Sequence, residues 1–444
     1  MPSKTSKPSF VHCVGNPDFD PERAVADQER HRAALELLRG GEKNDFEGAV
    51  RLWFGLPGAG EEEGEEGEEE EEYVYHAGAS VTLPQVQRGV EMGGGRGLHG
   101  WYEGVEMGGE VQTSPFPPSV TDITAYTTLF SPSLPPSSSF KSFVSNAKKN
   151  SIRALVAENL SGKRYIHPSY PSLQIPKVKK DVVGSLPLNP YLDFWTWTCQ
   201  NLEWGGPVAG QGLKSHWVLP VVMHHFGCVV PSYEALGIIK SLVGGGGGVQ
   251  NGNNSNGGVA PENGGENGTA DGSGKKPKTK KTKKEKPPPP LKVLDVGSGN
   301  GYWSFMLRQY GMETTAVDNL QSEWRVTWIP DTLLTTGTAF LQSLPPQEHK
   351  AHILLLVYPI TGPDGRGSFT RELMREYKGD IVVVAGTQNN NGYTSFGRGK
   401  GTMDSFMLED QEQKGRWEKV VQVPLPSFAG RDEGLFVYVR KREG

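Results

Sequence analysis

Cysteine is almost missing from this chain of 444 residues: Cys13, Cys199 and Cys228 are the only three, and no pair has C-x-x-C spacing. That excludes a disulfide framework and makes a reducing, intracellular setting, cytoplasmic or nuclear, the expectation. No uninterrupted apolar run approaches the roughly eighteen residues that a membrane helix needs. The opening Met-Pro-Ser-Lys-Thr-Ser-Lys-Pro has no apolar stretch of the signal-peptide kind. No membrane association is therefore expected. Apolar residues are also scarce, at 35% of the chain, whereas Gly (58) and Pro (33) are plentiful. This balance predicts folded regions separated by unfolded ones. The net charge of −5 is small because charges of opposite sign are segregated along the chain. A basic nucleic-acid-binding face cannot be inferred from the total.

Composition divides the chain into four parts. Residues 1–140 read as mostly disordered, with one helical candidate over Pro21–Arg39 and an acidic run, 61–72, of ten glutamates and two glycines. Such a run repels itself at neutral pH and cannot collapse. The Pro-Ser stretch around Ser131–Ser139 reads as linker. Residues 141–243 read as a helical lobe, with an apolar helix over 141–160 and a dense aromatic segment from Pro187. Ser232 is its last N-cap, opening a helix that ends at Gly244–Gly248. Residues 244–290 are a low-complexity insertion, Gly/Asn-rich and then Lys/Pro-rich, expected to act as an extended tether. Eight lysines within 275–286 suit a nuclear-localisation or phosphate-binding patch, and equally a solvated linker.

From 291 to 444 strand and helix alternate regularly, which argues for βαβ units and a mostly parallel sheet. Strand candidates are Lys292–Val296, Thr314–Asp318, a weaker one within Arg325–Ile329, His352–Val357, Asp380–Ala385, Trp417–Val423 and Leu435–Arg440. The richest segment is Val293-Leu294-Asp295-Val296-Gly297-Ser298-Gly299-Asn300-Gly301. An apolar strand runs into glycines at alternate positions, so the backbone can turn sharply and a ligand can lie against it. Seventeen residues beyond Gly301, Asp318 ends the next strand, where a ribose diol is held. The two signals together point to an adenosine-containing cofactor. The dinucleotide fingerprint G-x-G-x-x-G would need glycine where this chain has Tyr302, so a nicotinamide-dependent oxidoreductase is disfavoured.

This G-x-G-x-G turn with Asp318 downstream resembles the class I S-adenosylmethionine-dependent methyltransferases, over about 155 residues. The resemblance implies a Rossmann-like fold: a seven-stranded, mostly parallel sheet closed by a C-terminal antiparallel hairpin, with 141–243 as an N-terminal helical cap. It implies S-adenosyl-L-methionine as cofactor, with Asp295, Gly297, Ser298, Gly299, Asn300, Gly301, Asp318 and Asn319 around it. The methyl acceptor is not named by any motif, and oligomeric state is unreadable. Where amine- and base-modifying members carry Asp or Asn followed by Pro-Pro, this chain has Tyr358-Pro359. Tyr358 and Asn389, which follow the fourth and fifth strand candidates, are the candidates for contact with the acceptor. A non-enzymatic scaffold that keeps the fold is the competing reading. His224, His225 and Cys228 offer metal-ligating groups, but adjacent histidines point apart and no second cluster completes a set, so no metal is expected.

Overall fold

The structure, a computed structural model, describes residues 13, 15–39, 44–57, 72–75, 79–92, 119–149, 151–202, 218–246, 290–360, 367–388, 394, 402–428 and 431–441. Asn389, the lysine run 275–286 and all of the acidic run but Glu72 lie outside these residues. The strands are β1 (Glu72–Tyr75), β2 (Ala79–Thr82), β3 (Tyr165–Ile166), β4 (Lys292–Val296), β5 (Thr314–Asp318), β6 (Leu333–Leu334), β7 (His352–Val357), β8 (Ile381–Thr387), β9 (Trp417–Pro424) and β10 (Glu433–Arg440). β1 and β2 form a hairpin, and the other eight form one sheet in the order β3-β9-β10-β8-β7-β4-β5-β6.

Strands β4 to β8 pair in parallel, and β10, β9 and β3 continue the sheet antiparallel. The order reverses between β4 and β7, which places a crevice beyond their carboxyl ends. β7 reads His-Ile-Leu-Leu-Leu-Val and β8 Ile-Val-Val-Val-Ala-Gly-Thr, apolar without alternation because the sheet is covered on both faces. On one face Leu354, Leu356, Val382 and Val384 meet Leu373, Met374, Phe406 and Met407 from the helices Ser368–Glu376 and Met403–Glu409. On the other, Ile353, Leu355 and Val383 join a larger core shared with the residues before the insertion.

That larger core reaches further towards the N-terminus than composition suggests. Helices Phe46–Phe54, Leu83–Met92 and Val120–Thr128 contribute Trp53, Val86 and Tyr126 to it, all within a region where the sequence shows one helical candidate. These short helices are stabilised by tertiary burial rather than by a long amphipathic period, which is why the local pattern is weak. The stretch read as one helix over 141–160 is two, Pro136–Ser145 and Ile152–Lys163, with Ser151 capping the second by accepting from the Ala154 N–H. The first of these begins inside the supposed linker.

Two strand expectations also change. Arg325–Ile329 is not a strand; the third parallel strand is β6, and Val326, Trp328 and Ile329 are buried in an irregular connection. The reason is tertiary: Trp328 donates its backbone N–H to Asn300 O (2.8 Å) and its indole N–H to His225 O (2.7 Å). β3 adds an eighth strand to the expected seven, pairing Tyr165 with Gln422 and Ile166 with Val421, and so covers the edge that β9 would expose.

The helical lobe is seated on the helix Tyr302–Gln309, which follows the glycine turn. Tyr191 and Phe226 stack at 4.8 Å, Phe226 lies 5.7 Å from Trp328, and Tyr302 meets Trp328 edge-on at 4.6 Å. Burying an indole such as that of Trp328 removes roughly 200 Å² from water and contributes about 5 kcal/mol. Hydrogen bonds then fix the register. Tyr302 donates its hydroxyl to Asn189 Oδ1 (2.7 Å) and accepts from the Tyr191 N–H (3.2 Å). Tyr302→Phe leaves both partners buried without this hydroxyl. It should lower the unfolding free energy by about 1–3 kcal/mol, measured by urea denaturation; an unchanged midpoint would show that the hydroxyl does not hold the lobe.

Candidate functional site

The segment after β4 turns through three residues with positive φ: Gly297 (77°), Gly299 (59°) and Gly301 (84°). The turn is fastened to β5, with the Gly297 N–H donating to Val317 O (2.8 Å). At Gly299 the missing side chain is needed for a second reason. A Cβ there would lie 2.7 Å from Cζ2 of Trp324, whose half-buried ring stands against the turn. At Gly301 a Cβ would come within 2.3 Å of Ile329. The fold itself therefore demands these glycines, and their spacing alone does not establish a ligand.

Side chains around the turn say more. Asp295, at the end of β4, is wholly buried; Ser304 donates to its Oδ2 (2.7 Å), while its Oδ1 has no partner. Burial pushes its carboxyl up to about 7, the Ser304 hydrogen bond opposes the rise, and the nearby Asp318 charge adds to it. The Ser298 hydroxyl and the Trp324 indole N–H are likewise buried and unpartnered among the described residues. Asp318 ends β5 as expected, and its carboxylate caps the turn, accepting from the Gly299 N–H (2.8 Å) and the Leu320 N–H (2.6 Å). Asn319 beside it is exposed. Asn300 turns away towards the lobe, donating to His225 O (2.9 Å) and accepting from the Tyr302 N–H (3.3 Å). It is a docking residue, buried at 3% exposure.

Tyr358 leaves β7 with φ 52° and its N–H donates to Ala385 O (2.7 Å), which fixes it at the carboxyl end of that strand. Its ring carries the Arg431 guanidinium 4.7 Å from the centroid. His224 and His225 point apart. The His225 ring donates from Nδ1 to Val221 O and lies 4.0 Å from Phe54, and burial drives its pKa down to about 3, so it stays neutral. His224 Nε2 meets Val74 O in the hairpin (2.9 Å).

Sequence reasoning missed four contributors and read a fifth only in part. Trp324 and Trp328 lie in the β5–β6 connection, residues 319–332, where two tryptophans four residues apart were the available signal. Arg431 and Glu433 flank the start of β10 and give no local signal, because only the sheet order carries them to the crevice. Asn189 was read as a helix-starting turn; it does cap Pro190–Trp197, and it also receives the Tyr302 hydroxyl.

No family model matches the chain, and no curated protein does either. Among solved structures, a SAM-dependent methyltransferase from Anabaena variabilis is 12% identical with a TM-score of 0.22, over 34% of this chain and 77% of that one. The methyltransferase domain of bacterial CtHen1 is 16% identical with a TM-score of 0.21, over 33% and 89%. The glycopeptide N-methyltransferase MtfA, complexed with S-adenosyl-L-homocysteine, is 12% identical with a TM-score of 0.20, over 34% and 83%. At such scores the fold assignment stands on the strand order itself.

Asp295 makes native stability depend on pH. Its folded pKa of about 7 lies well above that of an ordinary aspartate, 3.8, so the native state favours the protonated form. The associated stability is fully present below about pH 4 and is lost as pH rises through about 7. Asp295→Asn, which carries no charge, should remove this loss and be more stable than the parent at pH 8 by up to a few kcal/mol, at about 1.4 kcal/mol per pKa unit. Urea unfolding at pH 5 and pH 8 checks it; a variant that is less stable by the same amount at both would sink the assignment.

Proposed function

We propose that the chain binds S-adenosyl-L-methionine at the glycine turn and transfers its methyl group to an acceptor beyond the carboxyl ends of β7 and β8. The observation that carries this reading is the set of buried polar atoms left without partners around the turn: Asp295 Oδ1, Ser298 Oγ and Trp324 Nε1. Each such atom costs the native state about 1–3 kcal/mol, and three in one place is a cost that a polar ligand relieves. The donor and acceptor types also suit this cofactor. A carboxylate on β4 suits its cationic methionine portion, and the Asp318 carboxylate at the end of β5 stands where a ribose diol would be held.

The bound cofactor would supply an activated methyl group on a sulfonium. The chain's own part is alignment, an effect worth about 7–11 kcal/mol when two reactants are held in line. The β4 and β5 ends hold the donor, Trp324 walls it against the glycines, and the β7 and β8 ends present the acceptor. A scaffold without cofactor is the second reading. Its support is that Gly299 is already required by Trp324 and that the Asp318 carboxylate is already used as a cap.

A thermal-shift titration of the full chain separates the two. Ligand at about a hundred times its dissociation constant stabilises by roughly 2.7 kcal/mol, which for a fold of this size raises Tm by about 5 °C or more. S-adenosylmethionine and S-adenosylhomocysteine should both give this saturable shift, and NAD should not. Asp318→Asn lowers the ligand-free Tm through the weakened cap, and the ligand-induced rise, measured from that new baseline, should shrink by at least half. A well-folded chain with no shift would transfer the reading to the scaffold.

A further inference from the structure

An ion pair that the turn does not use lies at the carboxyl end of β8. Glu433, the first residue of β10, is 0% exposed, and Arg431 Nε is 2.8 Å from its Oε1. The pair lacks hydrogen-bond alignment, and neither Glu433 oxygen accepts an aligned bond from any described residue. Arg431 is committed elsewhere: Nη2 donates to Cys228 O (3.1 Å), Nη1 lies 3.3 Å from Met223 Sδ, and its plane covers Tyr358. Its neighbour Asp432, by contrast, is satisfied, taking bonds from Asn159 (3.2 Å), Gln388 (3.0 Å) and Lys163. Register sets the direction. Glu433 pairs with Thr387 at the carboxyl end of β8 and shares the parity of Leu435 and Val437, which face the helical lobe. The carboxylate therefore lies on the lobe-facing side at the carboxyl end of β8, and Arg431 links it to Tyr358 at the end of β7.

We propose that Glu433 is the proton-accepting residue on the acceptor side of this crevice, and that the acceptor is an amine. The assignment rests on the cofactor reading above. Arg431 holds the carboxylate in place, and the two oxygens left without aligned donors suit an N–H group, which brings its own donors. Burial raises the Glu433 carboxyl to about 7, against the lowering by Arg431, so the group is a stronger base than an ordinary carboxylate. Such a base is matched to an ammonium and too weak for an alkyl hydroxyl. In the step, an acceptor ammonium gives one proton to Glu433. The freed nitrogen lone pair forms the new N–C bond while the donor S–C bond breaks, its electron pair staying on sulfur. The products are the methylated ammonium, a neutral thioether and protonated Glu433, which returns its proton to water.

The test needs no acceptor. Sinefungin carries an amine where S-adenosylmethionine carries its methyl sulfonium, and S-adenosylhomocysteine has only the neutral sulfur. Calorimetric titration of the full chain should show sinefungin binding at least tenfold tighter than S-adenosylhomocysteine. In Glu433→Gln that ratio should fall to about one, with affinity for S-adenosylhomocysteine kept within threefold. Should Glu433→Gln not fold, Glu433→Asp, which keeps the charge beside Arg431, should reduce the ratio by about threefold. A ratio unchanged in either folded variant, or equal binding of the two ligands to the parent, would overturn the role of Glu433 and leave the cofactor reading intact. Binding of neither ligand to the parent would remove both.

Discussion

The carbonyl of His225 is the point on which the arrangement depends. It accepts from Asn300 in the glycine turn and from the Trp328 indole in the β5–β6 connection. Both donors are buried, so breaking either bond strands a polar group away from water. The Tyr302–Asn189 bond repeats the link two residues beyond Asn300, and Asn189 in turn donates to Pro231 O (2.8 Å). Through these bonds a lobe that precedes the low-complexity insertion becomes part of the wall around a turn that follows it. The insertion can vary in length at small entropic cost, because loop closure depends only weakly on length.

Docking of this kind has an electrostatic consequence. The lobe excludes water from the carboxyl ends of the strands, and two acids there, Asp295 and Glu433, are pushed up to about 7 by burial. One ends β4 at the glycine turn, and the other opens β10 opposite Thr387 at the end of β8. A fold selected for stability alone would gain by replacing such groups with apolar ones. Their retention in the buried state is a cost that the proposed cofactor and acceptor would offset. The buried His225 makes the contrast: it is held neutral, bonded and stacked, and serves only packing.

The sequence pattern reported the parallel strands well: β4, β5 and β7 occupy the expected residues, and β7 carries an unbroken apolar run from Ile353 to Val357. It reported β6 and β3 badly. Each has two residues, and no period can be read from two positions. The helices before residue 141 were hidden for a related reason. Trp53, Val86 and Tyr126 are core residues of short elements, and their burial against partners far along the chain leaves no local signature.

The sequence by itself determined the strand–turn–helix unit at 292–309, the acid at the end of β5 and the alternation of strand and helix after it. These depend on neighbours along the chain: glycines permit the positive φ angles, and apolar runs fill a sheet buried on both faces. Only the tertiary structure decided that Trp324 covers Gly299, that Asn300 serves docking, and that Arg431, paired with Glu433, covers Tyr358. Those pairings join residues separated by tens of positions, and chain folding, rather than local preference, brings them together.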